Sequence, residues 1–143
     1  MIYFDTSYIV RLYLQDAGWE RVRALAAAEH LACCLHGRAE TIAAFHRKWR
    51  DGAVTRAGFR TLMDQFDADC EANGIRWLPF AATVVSRLTK VVRNLPLNAT
   101  LRAADGVHLA CAAENGFEAI YSNDRQLLAS ATHFGLNGID VLS

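Results

Sequence analysis

The chain has 143 residues, 52% of them hydrophobic and 21% charged, which fits one folded domain and excludes a disordered or fibrous protein. Fifteen Lys and Arg balance fifteen Asp and Glu, so a protein that coats nucleic acid or membrane by net charge alone is also excluded. Cys33, Cys34, Cys70 and Cys111 form no C-x-x-C pair and read as small buried thiols, not as zinc ligands or a disulfide framework. Asp5 interrupts the first apolar residues before a signal-peptide core could form, and no uncharged run reaches the roughly 18 residues of a membrane span. A soluble, cytoplasmic protein with no membrane partner is expected.

Met1-Ile2-Tyr3-Phe4 reads as a short buried strand ending at Asp5. Residues 7–15 and 19–29 follow as helices, the second with Val22, Leu25 and Ala26 on one face. Residues 30–35 form a second apolar strand, and residues 39–50 and 56–72 two amphipathic helices. In the latter, Phe59, Leu62, Met63, Phe66 and Cys70 trace one stripe. A strand over 75–80 precedes helices over 83–93 and 101–114. Strands over 119–122 and 138–142 close the chain around a helix over 125–134. Gly52, Gly74, Gly116 and Gly135 each fall where a helix should stop. No repeat, low-complexity tract or linker divides residues 1–143, so a single domain is expected. Strands alternating with helices predict an α/β fold, a three-layer α/β/α sandwich around a central, mainly parallel sheet. Continuously apolar strands such as residues 32–35 suit such a sheet.

In open parallel sheets, ligands collect beyond the carboxyl ends of the strands. Acids fall at such points repeatedly. Asp5 closes the first strand and is followed by Thr6 and Ser7. Asp124 follows the strand over 119–122 in Ser122-Asn123-Asp124. Glu40 lies in the first turn or so of the helix after the second strand, and Asp105 within a mostly apolar helix. Each is open to a structural reading. Asp124 could cap the next helix, Glu40 could belong to a capping arrangement behind Gly37, and Asp105 could pair with Arg102 at i, i+3. Together they suggest hard oxygen ligands without a matching His/Cys set, which suits Mg²⁺ or Mn²⁺. A cation would offset the repulsion among crowded carboxylates and could activate water against a phosphodiester.

At these residues the sequence resembles the PIN-domain ribonucleases, specifically the VapC-type toxins of type II toxin–antitoxin pairs. The resemblance runs through Met1-Ile2-Tyr3-Phe4-Asp5-Thr6-Ser7, Arg38-Ala39-Glu40, residues 101–112 around Asp105, and Ile120-Tyr121-Ser122-Asn123-Asp124. It implies a PIN-like sandwich and a Mg²⁺-dependent endoribonuclease (Mn²⁺ as the other candidate) that cleaves RNA by metal-activated water, leaving a 5′-phosphate and a 3′-hydroxyl. Asp5 and Asp105 would be the principal metal ligands, with Glu40 and Asp124 completing the catalytic set. Thr6, Ser7, Ser122 and Asn123 would orient carboxylates or waters. A VapB-type antitoxin and a homodimer are the partners it implies. Gly106 departs from the family, where Ala is commoner; a first-turn position or a close backbone approach would each account for it. His108 reads as a satisfied core or interface residue and not as a ligand.

Charge is unevenly spread. Thirteen of the fifteen basic residues are Arg, since Lys occurs only at 48 and 90. Residues 38–60 carry six basic side chains and residues 87–102 carry four, whereas Asp64, Asp67, Asp69 and Glu71 form an acidic block. The basic stretches are either solvated helix faces or surfaces for RNA backbone. Three other readings stand beside the ribonuclease. A haloacid-dehalogenase-like phosphatase needs a second Asp where Ser7 stands. A non-enzymatic α/β phosphoacceptor needs a late Lys, and none follows Lys90. A PIN-like RNA- or DNA-processing nuclease without a toxin role fits the same residues.

Overall fold

Successive strand residues point to opposite faces of a sheet, and here both faces are apolar. The computed structural model describes residues 1–142. Its elements are β1 (Ile2–Tyr3), α1 (Thr6–Arg11), α2 (Trp19–Ala28), β2 (Leu31–Cys34), α3 (Leu35–Arg50), α4 (Arg56–Glu71), β3 (Ile75–Leu78), α5 (Ala82–Val92), α6 (Ala103–Glu114), β4 (Ala119–Tyr121), α7 (Arg125–Ser130) and β5 (Asn137–Ile139). Leu31 and Cys33 face one core with Phe4, Phe45 and Phe66. Ala32 and Cys34 face the other with Tyr3, Leu109 and Ile120. That alternation places the sheet between two helical layers. The four cysteines are free and buried.

All strand pairs are parallel. β2 lies between β1 and β3, with Ile2 opposite Leu31 and Cys34 opposite Leu78. β4 pairs with β5, and a bridge between Phe4 and Tyr121 joins the two sets into the spatial order β3-β2-β1-β4-β5. Chain direction across the sheet therefore reverses between β1 and β4, the switch point at which parallel sheets open a crevice. The amide of Asp5 donates to the Tyr121 carbonyl at 3.0 Å and fixes this junction. On one face, Tyr13, Phe45, Phe66 and Trp77 meet edge to face with ring centroids 5.3–5.9 Å apart. Phe45 and Phe66 are fully buried, and each stabilises the core by about 1.5–3 kcal/mol.

Several boundaries differ from the sequence reading. α1 stops at Arg11, whose guanidinium binds the Ser7 and Ala17 carbonyls at 2.7 and 2.9 Å. β2 runs into α3 with no loop, so that helix starts at Leu35 instead of residue 39, and Glu40 lies in its second turn. α6 starts at Ala103, because Arg102 is extended. The helix expected to reach residue 134 tightens into a 3₁₀ turn over Ala131–Phe134. The last strand ends at Ile139, where the Asp140 carboxylate accepts from the Leu142 amide at 2.9 Å and turns the chain. At the end of α4 it is Asn73, with φ of 57°, and not Gly74 that takes the left-handed conformation. Among the described residues no helix is long and apolar enough to cross a membrane.

Candidate active site at the β1–β4 switch point

Asp5 ends β1 and caps α1. Its Oδ1 accepts from the Ser7 hydroxyl at 2.6 Å and the Tyr8 amide at 3.2 Å, and its Oδ2 accepts from the Ser122 hydroxyl at 2.5 Å. The carboxylate is buried, and among the described residues only these neutral donors are bonded to it. Burial raises its pKa above the ordinary aspartate value, against the pull of His108 and the three hydrogen bonds. The same two hydroxyls lace Asp5 to the loop after β4. Ser7 Oγ accepts from the Asn123 amide at 3.0 Å, and Ser122 Oγ from the Asp124 amide at 2.9 Å.

Glu40 reaches the same end of the sheet from α3. Its Oε1 accepts from the Thr6 hydroxyl at 2.8 Å and from His108 Nε2 at 2.6 Å, with His36 Nε2 3.7 Å away. The other nitrogen of His108 bonds the Tyr3 hydroxyl at 2.8 Å, and that hydroxyl also accepts from the Cys34 amide at 3.0 Å. Burial disfavours a charged His108, but Cys33, Glu40 and Asp5 outweigh it and lift its pKa well above the ordinary histidine value. Burial likewise opposes ionisation of Glu40, and His108, Thr6 and His36 overcome it, leaving the pKa depressed. His108 is thus a satisfied core residue that holds Glu40.

Asp105 sits in the first turn of α6, buried, where the helix dipole favours a carboxylate. Gly106 beside it is both in that first turn and close to α5: an added Cβ would come within 2.8 Å of Leu88 Cδ1. Asp124 caps α7, its Oδ1 accepting from the amides of Gln126 and Leu127 at 2.9 and 3.2 Å. Its Oδ2 accepts from Arg102 Nη2, while Arg102 Nε donates to Asp105 Oδ2 at 2.7 Å. Burial alone would raise the Asp124 pKa; Arg102 and the two amides depress it below the ordinary value. The cap and the i, i+3 ion pair therefore both exist, and each uses only part of its carboxylate.

No curated protein matches the chain in sequence. Residues 2–132, however, match the PIN domain. The chain belongs to the PIN-domain family.

Solved structures with this PIN fold include FitAcB from Neisseria gonorrhoeae, at a TM-score of 0.76 and 17% identity over 97% of this chain and 96% of that one. Mycobacterium tuberculosis VapC20, a sarcin–ricin loop cleaving toxin, gives a TM-score of 0.68 and 18% identity over 91% and 95%. VapBC2 from Rickettsia felis, bound to a DNA fragment from its promoter, gives 0.68 and 14% over 98% of each chain.

The PIN family implies a divalent cation. The donor set fits one: the four carboxylates offer hard oxygen, as Mg²⁺ and Mn²⁺ prefer. Asp105 Oδ1 and Glu40 Oε2 accept no hydrogen bond from the described residues, and neither is sealed from solvent. Among the described residues, nevertheless, no three His, Cys, Asp or Glu side chains are already gathered tightly enough to hold an ion. A cavity of about 610 Å³ opens near Met1, Ile2, Arg76 and Phe117, where β1 starts, and contains none of the four acids.

Two parts of this PIN-domain site were not singled out by sequence reasoning. Asp140 accepts from the Tyr8 hydroxyl at 2.9 Å and from Asn123 Nδ2 at 3.3 Å, tying the β4 loop to α1. Arg11 Nη2 donates to Asn123 Oδ1 at 3.1 Å from the other side. Asp140 directly follows β5, but a strand expected over 138–142 placed it inside that strand, and Arg11 belongs to no motif that would mark it.

Proposed function

We propose that this PIN domain is a Mg²⁺- or Mn²⁺-dependent endoribonuclease, the toxin of a VapBC-type toxin–antitoxin pair, with Asp5, Glu40, Asp105 and Asp124 as its catalytic acids. The observation that carries the reading is the meeting of elements from the whole chain at one switch point. Ser122 donates to the Asp5 carboxylate and accepts from the Asp124 amide, Arg102 bridges the Asp105 and Asp124 carboxylates, and Glu40 is bonded to Thr6 beside Asp5 and to His108 one turn after Asp105. Support for the RNA and for the antitoxin comes from the fold relatives, a toxin that cleaves the sarcin–ricin loop and a VapBC2 complex on promoter DNA.

Asp5 and Asp105 would be the principal ligands, with Glu40 and Asp124 completing the set. A bound divalent cation supplies charge that offsets crowded carboxylates and phosphate and makes water more acidic. Ser7 and Ser122 hold the two oxygens of Asp5 in place. Thr6 and His108 keep Glu40 ionised and aimed, and the Tyr3 hydroxyl stops the imidazole from turning. Asn123, fixed by Arg11, Ser7 and Asp140, steadies the loop that presents Asp124. The RNA backbone would approach across Arg-rich surface, and cleavage would leave a 5′-phosphate and a 3′-hydroxyl. A VapB-type antitoxin, a homodimer and a cytoplasmic location belong to the same proposal.

The test is cleavage of a mixed RNA pool by purified protein. Mg²⁺ or Mn²⁺ should support cutting, and a chelator should stop it. Asp5→Asn and Asp105→Asn should each lose at least about 100-fold in rate with unchanged circular dichroism. Undiminished cutting by either folded variant, or in chelator, would contradict the reading.

A further inference from the structure

Arg102 stands at the entrance to α6 as its capping residue, with an extended backbone (φ −81°, ψ 151°) and a side chain 51% exposed. Its guanidinium bridges two acids, through Nε to Asp105 Oδ2 at 2.7 Å and through Nη2 to Asp124 Oδ2. Among the described residues it has no other hydrogen bond, and no aromatic ring stacks on it. Asp124 does not depend on it for position, whereas the Asp105 carboxylate has no other hydrogen-bond partner among the described residues. Asp124 is already fixed by the Gln126 and Leu127 amides, and Asp105 is buried in the first turn of α6. What the guanidinium does provide is a positive charge between two carboxylates that would otherwise repel.

That is also the ground a divalent cation would take. We propose that Arg102 is a resident counter-ion, neutralising Asp105 and Asp124 in the cation-free protein and displaced when a divalent cation binds, so that it competes with the metal. This rests on the cation site proposed above. The guanidinium end of both pairs is half exposed and therefore screened by solvent, which suits a contact that must open. Removing Arg102 leaves the two carboxylates uncompensated until a cation arrives, and that makes cation binding more favourable. If Arg102 instead prearranged the acids for the metal, its removal would weaken binding.

Calorimetric titration of Mn²⁺ alone, with no RNA present, separates these cases. The parent, Arg102→Gln, and each of the two with Asp105→Asn added are compared. Arg102→Gln should bind Mn²⁺ about five-fold or more tightly than the parent, in the usual range of coupling between sites. Adding Asp105→Asn should remove binding from both backgrounds. Equal or weaker binding by Arg102→Gln would overturn the counter-ion role. Absence of Asp105-dependent Mn²⁺ binding in both parent and Arg102→Gln would instead overturn the metal reading, and this proposal with it. A second measurement uses the unaltered protein. The Arg102 Nε–H resonance should move on saturation with Mg²⁺ while that of Arg11 stays; an unmoved Arg102 signal at saturation would show that the guanidinium is not displaced.

Discussion

Asp5 is an acid held by alcohols. Its burial would favour the neutral form, and among the described residues the hydroxyls of Ser7 and Ser122 with the Tyr8 amide are the only groups hydrogen-bonded to it. Ser122 is the more exacting of the two serines, because it is fully buried and both donates to Asp5 and accepts from the Asp124 amide. Ser122→Ala leaves a buried carboxylate oxygen and an amide short of a partner, at a cost of about 1–3 kcal/mol. It also loosens an expected ligand, and changes of this kind commonly lower metal affinity or activity by about 10–100-fold. Urea unfolding and Mn²⁺ titration check the two effects separately. A variant with parental stability and parental affinity would mean that Ser122 neither supports nor aims Asp5.

At the scale of elements, the site depends on how β2 turns into α3. The transition has no loop, and Gly37 lies within the first turn of the helix, against Cys33, His108 and Thr6. An added Cβ would collide with Cys33 Sγ and come within 3.0 Å of His108 Cε1. Alanine ordinarily favours a helix over glycine by about 1 kcal/mol, but overpacking a buried contact costs about 1–3 kcal/mol. Gly37→Ala should therefore destabilise the protein, by about 1 kcal/mol, and displace the His108–Glu40 pair; denaturant midpoints read the first effect. A gain in stability would show that Cys33 and His108 yield freely. The early start of α3 was not legible because residues 30–35 form one apolar run, and periodicity over six residues does not separate strand from helix. The helices whose stripes are long, such as α4 and α6, were legible to within a few residues at their ends.

For the whole molecule, the order β3-β2-β1-β4-β5 decides where chemistry can sit. The reversal between β1 and β4 brings Asp5 and Asp124 together across 119 positions of sequence, and α3 and α6 bring Glu40 and Asp105 to the same end. Asp5 and Asp124 could be picked out beforehand because a carboxylate shortly after an apolar strand has a defined place in a parallel sheet, whereas Glu40 and Asp105 lie within helices and stood out by their surroundings and by the family resemblance. The partners of the four could not be picked out. The Arg102 bridge, the ties of Asp140 to Tyr8 and Asn123, and the Tyr3–His108–Glu40 chain arise from packing between distant segments, which strand and helix patterns do not encode. Neutral overall charge is compatible with the proposed site, because the balance is a sum of unlike stretches, acidic over residues 64–71 and basic over residues 87–102.

The claim that these four acids form one cation site is tested most directly by crystals soaked in Mn²⁺ and measured for its anomalous signal. A peak is expected within about 2.5 Å of carboxylate oxygens of Asp5 and Asp105, with Glu40 and Asp124 beside it directly or through water. A well-ordered map with saturating Mn²⁺ and no peak at the β1–β4 switch point would contradict it.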